Sequence, residues 1–210
     1  MAEYLVKNFH VGPIQTNCYF MINQETKQGV VVDPGDDAQM LYRQIKALDF
    51  VPEAILLTHG HFDHVTGTQE LRELTGAKVY IHETERLTVE ETITHMFPQM
   101  GNSGKKVPVD EWMAGEPVLE IAGFRIHVYM TPGHTRGGVC YYFPAEGVLF
   151  SGDTLFASSI GRTDFAGGSY SALIWSVEEK LFVLPDETKV YPGHEGFTTI
   201  GHEKRYNPFF

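Results

Sequence analysis

The segment Thr58-His59-Gly60-His61-Phe62-Asp63-His64 constrains this chain more than any other. It sets four potential metal ligands within six positions, directly behind the apolar run Ala54-Ile55-Leu56-Leu57. An apolar run without polar alternation is the pattern of a strand buried on both faces. Such a strand needs a layer on either side, so the chain must build a sheet covered by helices or by a second sheet. His59 and His61, two apart in an extended loop, can point the same way toward one cation. Asp63 and His64, adjacent at a helix start, can serve a neighbouring one. A solvated loop that only caps a helix through Asp63 accounts for one of these four residues and leaves three unexplained.

The rest of the chain alternates strand and helix signals. Val30-Val31-Val32 ends at Asp33-Pro34-Gly35, and a helix is predicted from Asp36 or Asp37 with Leu41, Ile45 and Leu48 on one face. Another carries Gly67, Leu71 and Leu74 and stops at Gly76. Val79–Ile81 reads as a strand, Glu83 to Phe97 as helical and Pro98 to Pro108 as a surface excursion. Phe124, Ile126 and Val128 alternate with polar neighbours, as in a half-buried strand. Val139–Phe143 and Val148–Phe150 flank a turn and read as a hairpin. Ser169 caps a last clear helix through Leu173, Val177 and Leu181, stopped by Pro185. Hairpins followed by alternating strands and helices imply a layered α/β protein in one domain, residues 1–210.

One loop supplies too few ligands for two cations. Pro132-Gly133-His134 and Pro192-Gly193-His194 each follow an apolar strand and hold a histidine on a rigid turn. Phe150-Ser151-Gly152-Asp153-Thr154 sets Asp153 just past another strand, where a carboxylate can bridge two metals. With the first loop these give five histidines and two aspartates. Imidazole and carboxylate donors without thiolates favour Zn2+, with Fe or Mn as alternatives. His10, His82, His95, His127 and His202 lack a framed strand end or a second nearby ligand and read as surface or hydrogen-bonded histidines. Cys18 and Cys140 fit no zinc or redox spacing and read as free buried thiols in a reducing compartment.

Charge narrows the partners. Sixteen basic against 27 acidic residues give −11, and basic residues touch only at Lys105-Lys106 and Lys204-Arg205. No stripe exists to track a phosphate backbone, so neither nucleic acid nor an anionic membrane is expected as partner. The N-terminal sequence reads as no signal peptide, and a cytoplasmic location follows as the expectation.

The order His59, His61, Asp63, His64, His134, Asp153, His194 resembles the metallo-β-lactamase superfamily, and the likeness extends from Asn17-Cys18-Tyr19 and Asp33-Pro34-Gly35 to the C-terminus. The resemblance implies a four-layer αβ/βα sandwich with a dinuclear site at one edge. It assigns His59, His61 and His134 to one metal and Asp63, His64 and His194 to the other, with Asp153 bridging. In lactamase branches a cysteine usually lies near the place of Asp153, which speaks against β-lactam hydrolysis. Ser151–Phe156, Ile160-Gly161-Arg162-Thr163-Asp164, Pro192–Glu195 and Asn207-Pro208-Phe209 resemble the short, single-domain form of the glyoxalase II-like hydrolases. Sixteen residues follow His194, so the C-terminal helical domain with which longer forms contact glutathione is not expected.

The activity so implied is hydrolysis of a small anionic thioester such as S-lactoylglutathione by metal-activated water, with Asp63 orienting the nucleophile. Two dications against two carboxylates and one hydroxide leave about +1, a field that attracts an anion. Arg162 is the candidate anchor for a substrate carboxylate, with an ion pair to Asp164 as the competing reading. Phe62, Met96, Phe97 and Met100 read as core, with a pocket lip as the alternative. Two other readings stand beside the hydrolase: a mononuclear-iron persulfide dioxygenase of the same fold, and a metal-stabilised binding module without turnover.

Overall fold

The computed structural model describes residues 3–210. Its first sheet holds, in spatial order, β1 (Tyr4–Val11), β2 (Thr16–Asn23), β3 (Gln28–Val32), β4 (Val51–Leu56), β5 (Lys78–His82) and β6 (Glu111–Met113). β1 to β3 pair antiparallel, and β3 to β6 pair parallel. The second sheet is formed by β7 (Val118–Ile121), β8 (Phe124–Met130), β9 (Val139–Phe143), β10 (Val148–Gly152), β13 (Lys189–Pro192) and β14 (Thr198–Thr199). Its order is β14-β13-β10-β9-β8-β7, and only β10 and β13 are parallel. Between β10 and β13 the chain makes a small ribbon of β11 (Leu155–Phe156) and β12 (Ser159–Ile160).

Three apolar interfaces separate four layers, and the side-chain alternation of the strands assigns each residue to its interface. Along β2, Tyr19 and Met21 face inward to meet Phe124, Ile126, Tyr141, Phe143 and Phe150 of the second sheet. Cys18, Phe20 and Ile22 face outward, against a layer built from α1 (Ala38–Ala47) and α3 (Thr68–Thr75) through Leu41, Ile45 and Leu71. On the other side, Cys140, Tyr142, Leu149 and Val190 meet Leu173, Val177 and Leu181 of the segment begun by α6 (Tyr170–Ser176). Each of these fully buried large apolar side chains contributes about 1.5–3 kcal/mol. The expected four-layer sandwich is therefore the observed one. Cys18 and Cys140 are both buried and free, each on an outward face of its sheet.

Where the prediction departs, polar contacts replace apolar periodicity. Glu83 to Phe97 is helical as expected, but its winding changes along the way. It is a 3₁₀ turn at Glu83–Glu85, α4 (Arg86–Glu91), a π turn at Thr92–Met96 and the single turn α5 (Phe97–Gln99). The helix begun at Ser169, whose side chain caps the Ala172 N–H, likewise widens to a π turn at Val177–Leu181. It is not the last helix, because α7 (Ile200–Tyr206) follows β14. The buried face of α7 carries Glu203, whose carboxylate accepts from Ser158 N, Thr198 Oγ1 and Asn207 Nδ2 at 2.9, 2.5 and 2.8 Å. An apolar-period search has nothing to find there. No helix among the described residues is long and apolar enough to cross a membrane.

Candidate metal centre

Strands β3, β4, β8, β10 and β13 end on one edge of the sandwich, and the residues just beyond them are Asp33, Thr58-His59, His134, Asp153 and His194. β3 and β4 are parallel in one sheet. In the other, β8 and β10 both run antiparallel to β9, and β13 runs parallel to β10. Their carboxyl ends therefore gather side chains more than 130 positions apart in sequence. α2 (Phe62–Val65) begins inside the His-rich loop and turns Asp63 and His64 toward the same point.

All seven predicted ligands meet. Their donor atoms form three close groups: His59, His61 and His134; His59, His64 and Asp153; and Asp63, His64 and His194. Asp153 lies between the clusters, with Oδ1 3.4 Å from His64 Nε2 and Oδ2 3.5 and 3.6 Å from His134 Nε2 and His194 Nε2. Asp63 Oδ2 is 3.2 Å from His194 Nε2 and accepts from Thr16 Oγ1 at 2.9 Å. His59 Nε2, His64 Nε2 and Asp153 Oδ1 are buried with no hydrogen-bond partner. Orphaned polar atoms are costly in a protein interior. Five imidazoles and two carboxylates turned on one another, with His61 Nδ1 and His134 Nε2 2.9 Å apart and three buried atoms unpartnered, fit divalent cations.

The second layer of contacts fixes which ring nitrogen faces the centre. Asp33, 1% exposed, accepts from Thr58 N and Thr58 Oγ1 at 2.7 and 2.6 Å and from His64 Nδ1 at 3.0 Å. Because the Thr58 hydroxyl donates to Asp33, its lone pair is left for His59 Nδ1, 3.1 Å away. His134 Nδ1 lies 2.7 Å from the Arg162 carbonyl oxygen, which can only accept. In His59, His64 and His134 the Nδ1–H is thus spent outward and Nε2 turned inward. Asp33 and Thr58 were not among the predicted functional residues. The signal was an aspartate closing an apolar strand before Pro34-Gly35, the same arrangement that singled out Asp153.

Charge separates the two halves of the cluster. Burial, helped by the neighbouring imidazoles, holds His59 well below the ordinary histidine range and His61 down at about 4. Burial pushes His64 and His194 the same way, but the surrounding carboxylates, Asp63 first for each, outweigh it and raise both. Burial would raise Asp63 and Asp153, yet His64 and its neighbours hold both below the usual carboxylate range. The His59–His61 side is therefore rich in neutral donor imidazoles, and the His64–His194 side in anionic carboxylates.

The two Pro-Gly-His turns need glycine for different reasons. A Cβ on Gly193 would stand 2.2 Å from Asp153 Oδ1, so the missing side chain lets the β13 loop press onto the bridging carboxylate. Gly133 adopts φ +146°, and a Cβ there would lie 2.4 Å from Leu173 Cα in α6. Gly133→Ala should accordingly destabilise the fold by about 1–3 kcal/mol through overpacking. Urea denaturation measures this, and a midpoint unchanged from wild type would contradict the packing described. Asn17 and Tyr19 hold the other turn, Asn17 Nδ2 donating to Pro192 O and Glu195 O and Tyr19 OH to Pro192 O.

A cavity of ≈ 490 Å³ opens over Asp63, His61, His134, Asp153 and His194. Phe62, Met96, Phe156 and Phe165 give it an apolar wall, whereas Phe97 is fully buried in the core and Met100 is exposed. Arg162 lines the cavity, but its guanidinium is engaged. It is paired in a fork with Asp164 at 2.8 and 2.7 Å and stacked on the Phe165 ring at 4.0 Å. Of the two readings of Arg162, the pair with Asp164 is the one present, and the Arg162 atom that reaches the cluster is its carbonyl. His10, His95 and His202 are exposed, His127 is half-buried on its strand, and His82 is buried with Gly115 O and Thr84 N as partners.

Comparison with known proteins bears on this site directly. Residues 11–194 match the family model of the metallo-beta-lactamase superfamily. A probable metallo-hydrolase, YqgX, of Bacillus subtilis (strain 168) is 38% identical over 95% of this chain and 94% of its own. Hydroxyacylglutathione hydrolase GloC of Haemophilus influenzae is 36% identical over 96% of this chain and 97% of its own. Among solved structures, BLEG-1 B3 metallo-beta-lactamase superposes with a TM-score of 0.89 at 41% identity, covering 98% of this chain and 99% of that one. TTHA1623 in a di-iron-bound form gives 0.85 at 37%, covering 97% and 100%. ETHE1 from Myxococcus xanthus gives 0.80 at 29%, covering 97% and 83%.

Proposed function

The chain belongs to the metallo-beta-lactamase superfamily, and from that premise we propose that it is a dinuclear metal-dependent hydrolase of the glyoxalase II-like branch, acting on a thioester such as S-lactoylglutathione. One observation carries the reading: three groups of ligand atoms share members and leave His59 Nε2, His64 Nε2 and Asp153 Oδ1 buried without partners. A full-length relative called hydroxyacylglutathione hydrolase supports the choice of substrate. In this reading His59, His61 and His134 hold one cation, Asp63, His64 and His194 the other, and Asp153 both. Zn2+ suits the donors, and a neighbour solved with two irons keeps iron as the alternative.

Divalent cations bound there supply Lewis acidity, polarising a carbonyl and bringing the pKa of a water down to roughly 7. The side chains do the rest. Asp63 Oδ2, fixed by the Thr16 hydroxyl, accepts a hydrogen from the attacking water and orients it. The apolar wall of Phe62, Phe156 and Phe165 keeps bulk water from the reacting carbonyl. A thiolate leaves without a strong acid, so no protonated side chain is needed opposite the nucleophile.

Two other reactions enter the same test. The argument against β-lactam hydrolysis rested on Asp153 standing in place of a cysteine. A 41% identical neighbour described as a B3 metallo-beta-lactamase makes that ground insufficient. The dioxygenase reading calls for fewer ligands than the seven that converge here. Purified protein reconstituted with Zn2+, Fe2+ or Mn2+ is assayed on S-lactoylglutathione, on a chromogenic cephalosporin, and for oxygen uptake with glutathione persulfide. The reading predicts thioester cleavage with two metal equivalents per chain. Cleavage of the cephalosporin alone, or oxygen uptake with one iron, would replace it.

Metal removal gives a second expected outcome. At a free metal concentration about 1,000 times Kd, binding stabilises the fold by about 4 kcal/mol. For a chain of this length that is about 8–16 °C in Tm. Stripping with a chelator should lower Tm by that amount and abolish turnover, and adding back the metal should restore both. A melt indifferent to the chelator would speak against a resident metal.

A further inference from the structure

A second buried acid stands behind the cluster with no part in ligation. Glu85 ends the 3₁₀ turn after β5 and is fully buried, with no ion-pair partner among the described residues. Its Oε2 accepts the Gly60 N–H at 2.7 Å and its Oε1 accepts the Gly137 N–H at 2.8 Å. Gly60 lies between His59 and His61 in a loop of the first sheet. Gly137 lies three residues after His134 in a loop of the second. The Gly60 carbonyl is held too, by Thr92 Oγ1 at 2.7 Å in the π turn that interrupts the predicted helix.

We propose that Glu85 is a positioning residue that clamps the His59–His61 loop to the His134 loop and so sets the affinity of the first of the two metal positions. The inference rests on the dinuclear reading of the cluster. His59, His61 and His134 come from two different sheets, and their three donor atoms must keep a fixed spacing to grip one ion. His61 Nδ1 and His134 Nε2 also meet across the two loops at 2.9 Å, but Glu85 ties them through backbone N–H groups, which have no freedom to follow a rotamer change. Burying a carboxylate without a cation costs stability that an apolar residue would not cost. Its two charge-assisted hydrogen bonds return part of that and gain a rigid cross-link. The second position draws on Asp63, His64 and His194, which Glu85 does not touch. Glu203 offers a matched control: a carboxylate of equal burial with three hydrogen bonds, none to a ligand loop.

The test compares wild type, Glu85→Gln and Glu203→Gln in Zn2+ competition titrations against a chromophoric chelator, with Tm recorded on the same samples. The amide of Glu85→Gln sets an N–H donor against one backbone N–H, so one arm of the clamp is lost while the volume is kept. Losing such a supporting contact lowers metal affinity by about 10–100-fold. Glu85→Gln should show that loss for one Zn2+ and keep the other within about threefold. Glu203→Gln should lower Tm while leaving both affinities near wild type. Should Glu85→Gln fail to fold, Glu85→Asp, which keeps the charge but cannot span both loops, gives the same reading. Two unchanged Zn2+ affinities in the Glu85 variant, with only Tm reduced, would overturn the positioning role. A wild-type protein that takes up no Zn2+ would instead overturn the dinuclear reading beneath it.

Discussion

Asp153→Asn is expected to lower kcat/KM on the thioester by about 10³-fold or more, because Lewis-acid stabilisation is worth several kcal/mol and each 1.36 kcal/mol is tenfold. The argument is one of position. Asp153 is the carboxylate that reaches into both halves of the cluster, toward His134 on one side and toward His64 and His194 on the other, at 3.4–3.6 Å. Asparagine keeps the volume and the turn after β10 but removes the charge that would hold two cations together. The defect should therefore show as lost metal and lost turnover, with the far-ultraviolet spectrum unchanged. Near wild-type turnover in metal-loaded Asp153→Asn would mean that Asp153 does not bridge.

Asp33→Ala should damage the protein twice. Three hydrogen bonds converge on this buried carboxylate, from Thr58 N, Thr58 Oγ1 and His64 Nδ1. Removing it strands a backbone N–H and frees two ligand rings to turn, and breaking a buried charged network of this kind costs about 3–5 kcal/mol. At 2–4 °C per kcal/mol that is about 6–20 °C in Tm. The same change unlocks the rings of His59 and His64, so Zn2+ affinity should fall by about 10–100-fold. Asp33 also sits at φ +50°, which alanine tolerates less well than aspartate. Denaturation and Zn2+ competition on one preparation measure both effects. A variant that melts early yet binds Zn2+ normally would confine Asp33 to the fold.

The candidate ligands were legible in the sequence because each is framed by residues with a backbone reason to be there. His134 and His194 sit in Pro-Gly turns, Asp153 follows Gly152, and four donors crowd one loop behind an apolar strand. The layers were legible for the same kind of reason. Runs such as Val30–Val32 and Ala54–Leu57 alternate between two buried faces, and only a sandwich buries both. What stayed hidden depends on long-range pairing. Glu85 and Glu203 look like surface acids until two loops close on the first and a hairpin and helix on the second. Arg162 is different: its pair with Asp164, two residues on, was one of the two readings the sequence left open, and local folding decides between them. The π turn inside the helical segment after β5 was not foreseen because it serves Gly60, 32 residues before Thr92, and carries no apolar period.

The central claim is that seven side chains from two sheets hold a pair of cations. Anomalous diffraction from crystals of the Zn2+-loaded protein, recorded above and below the zinc edge, tests it most directly. The account predicts two peaks per chain, one among His59, His61 and His134, the other among Asp63, His64 and His194, with Asp153 between them. A single peak, or peaks held by any other residues, would contradict it.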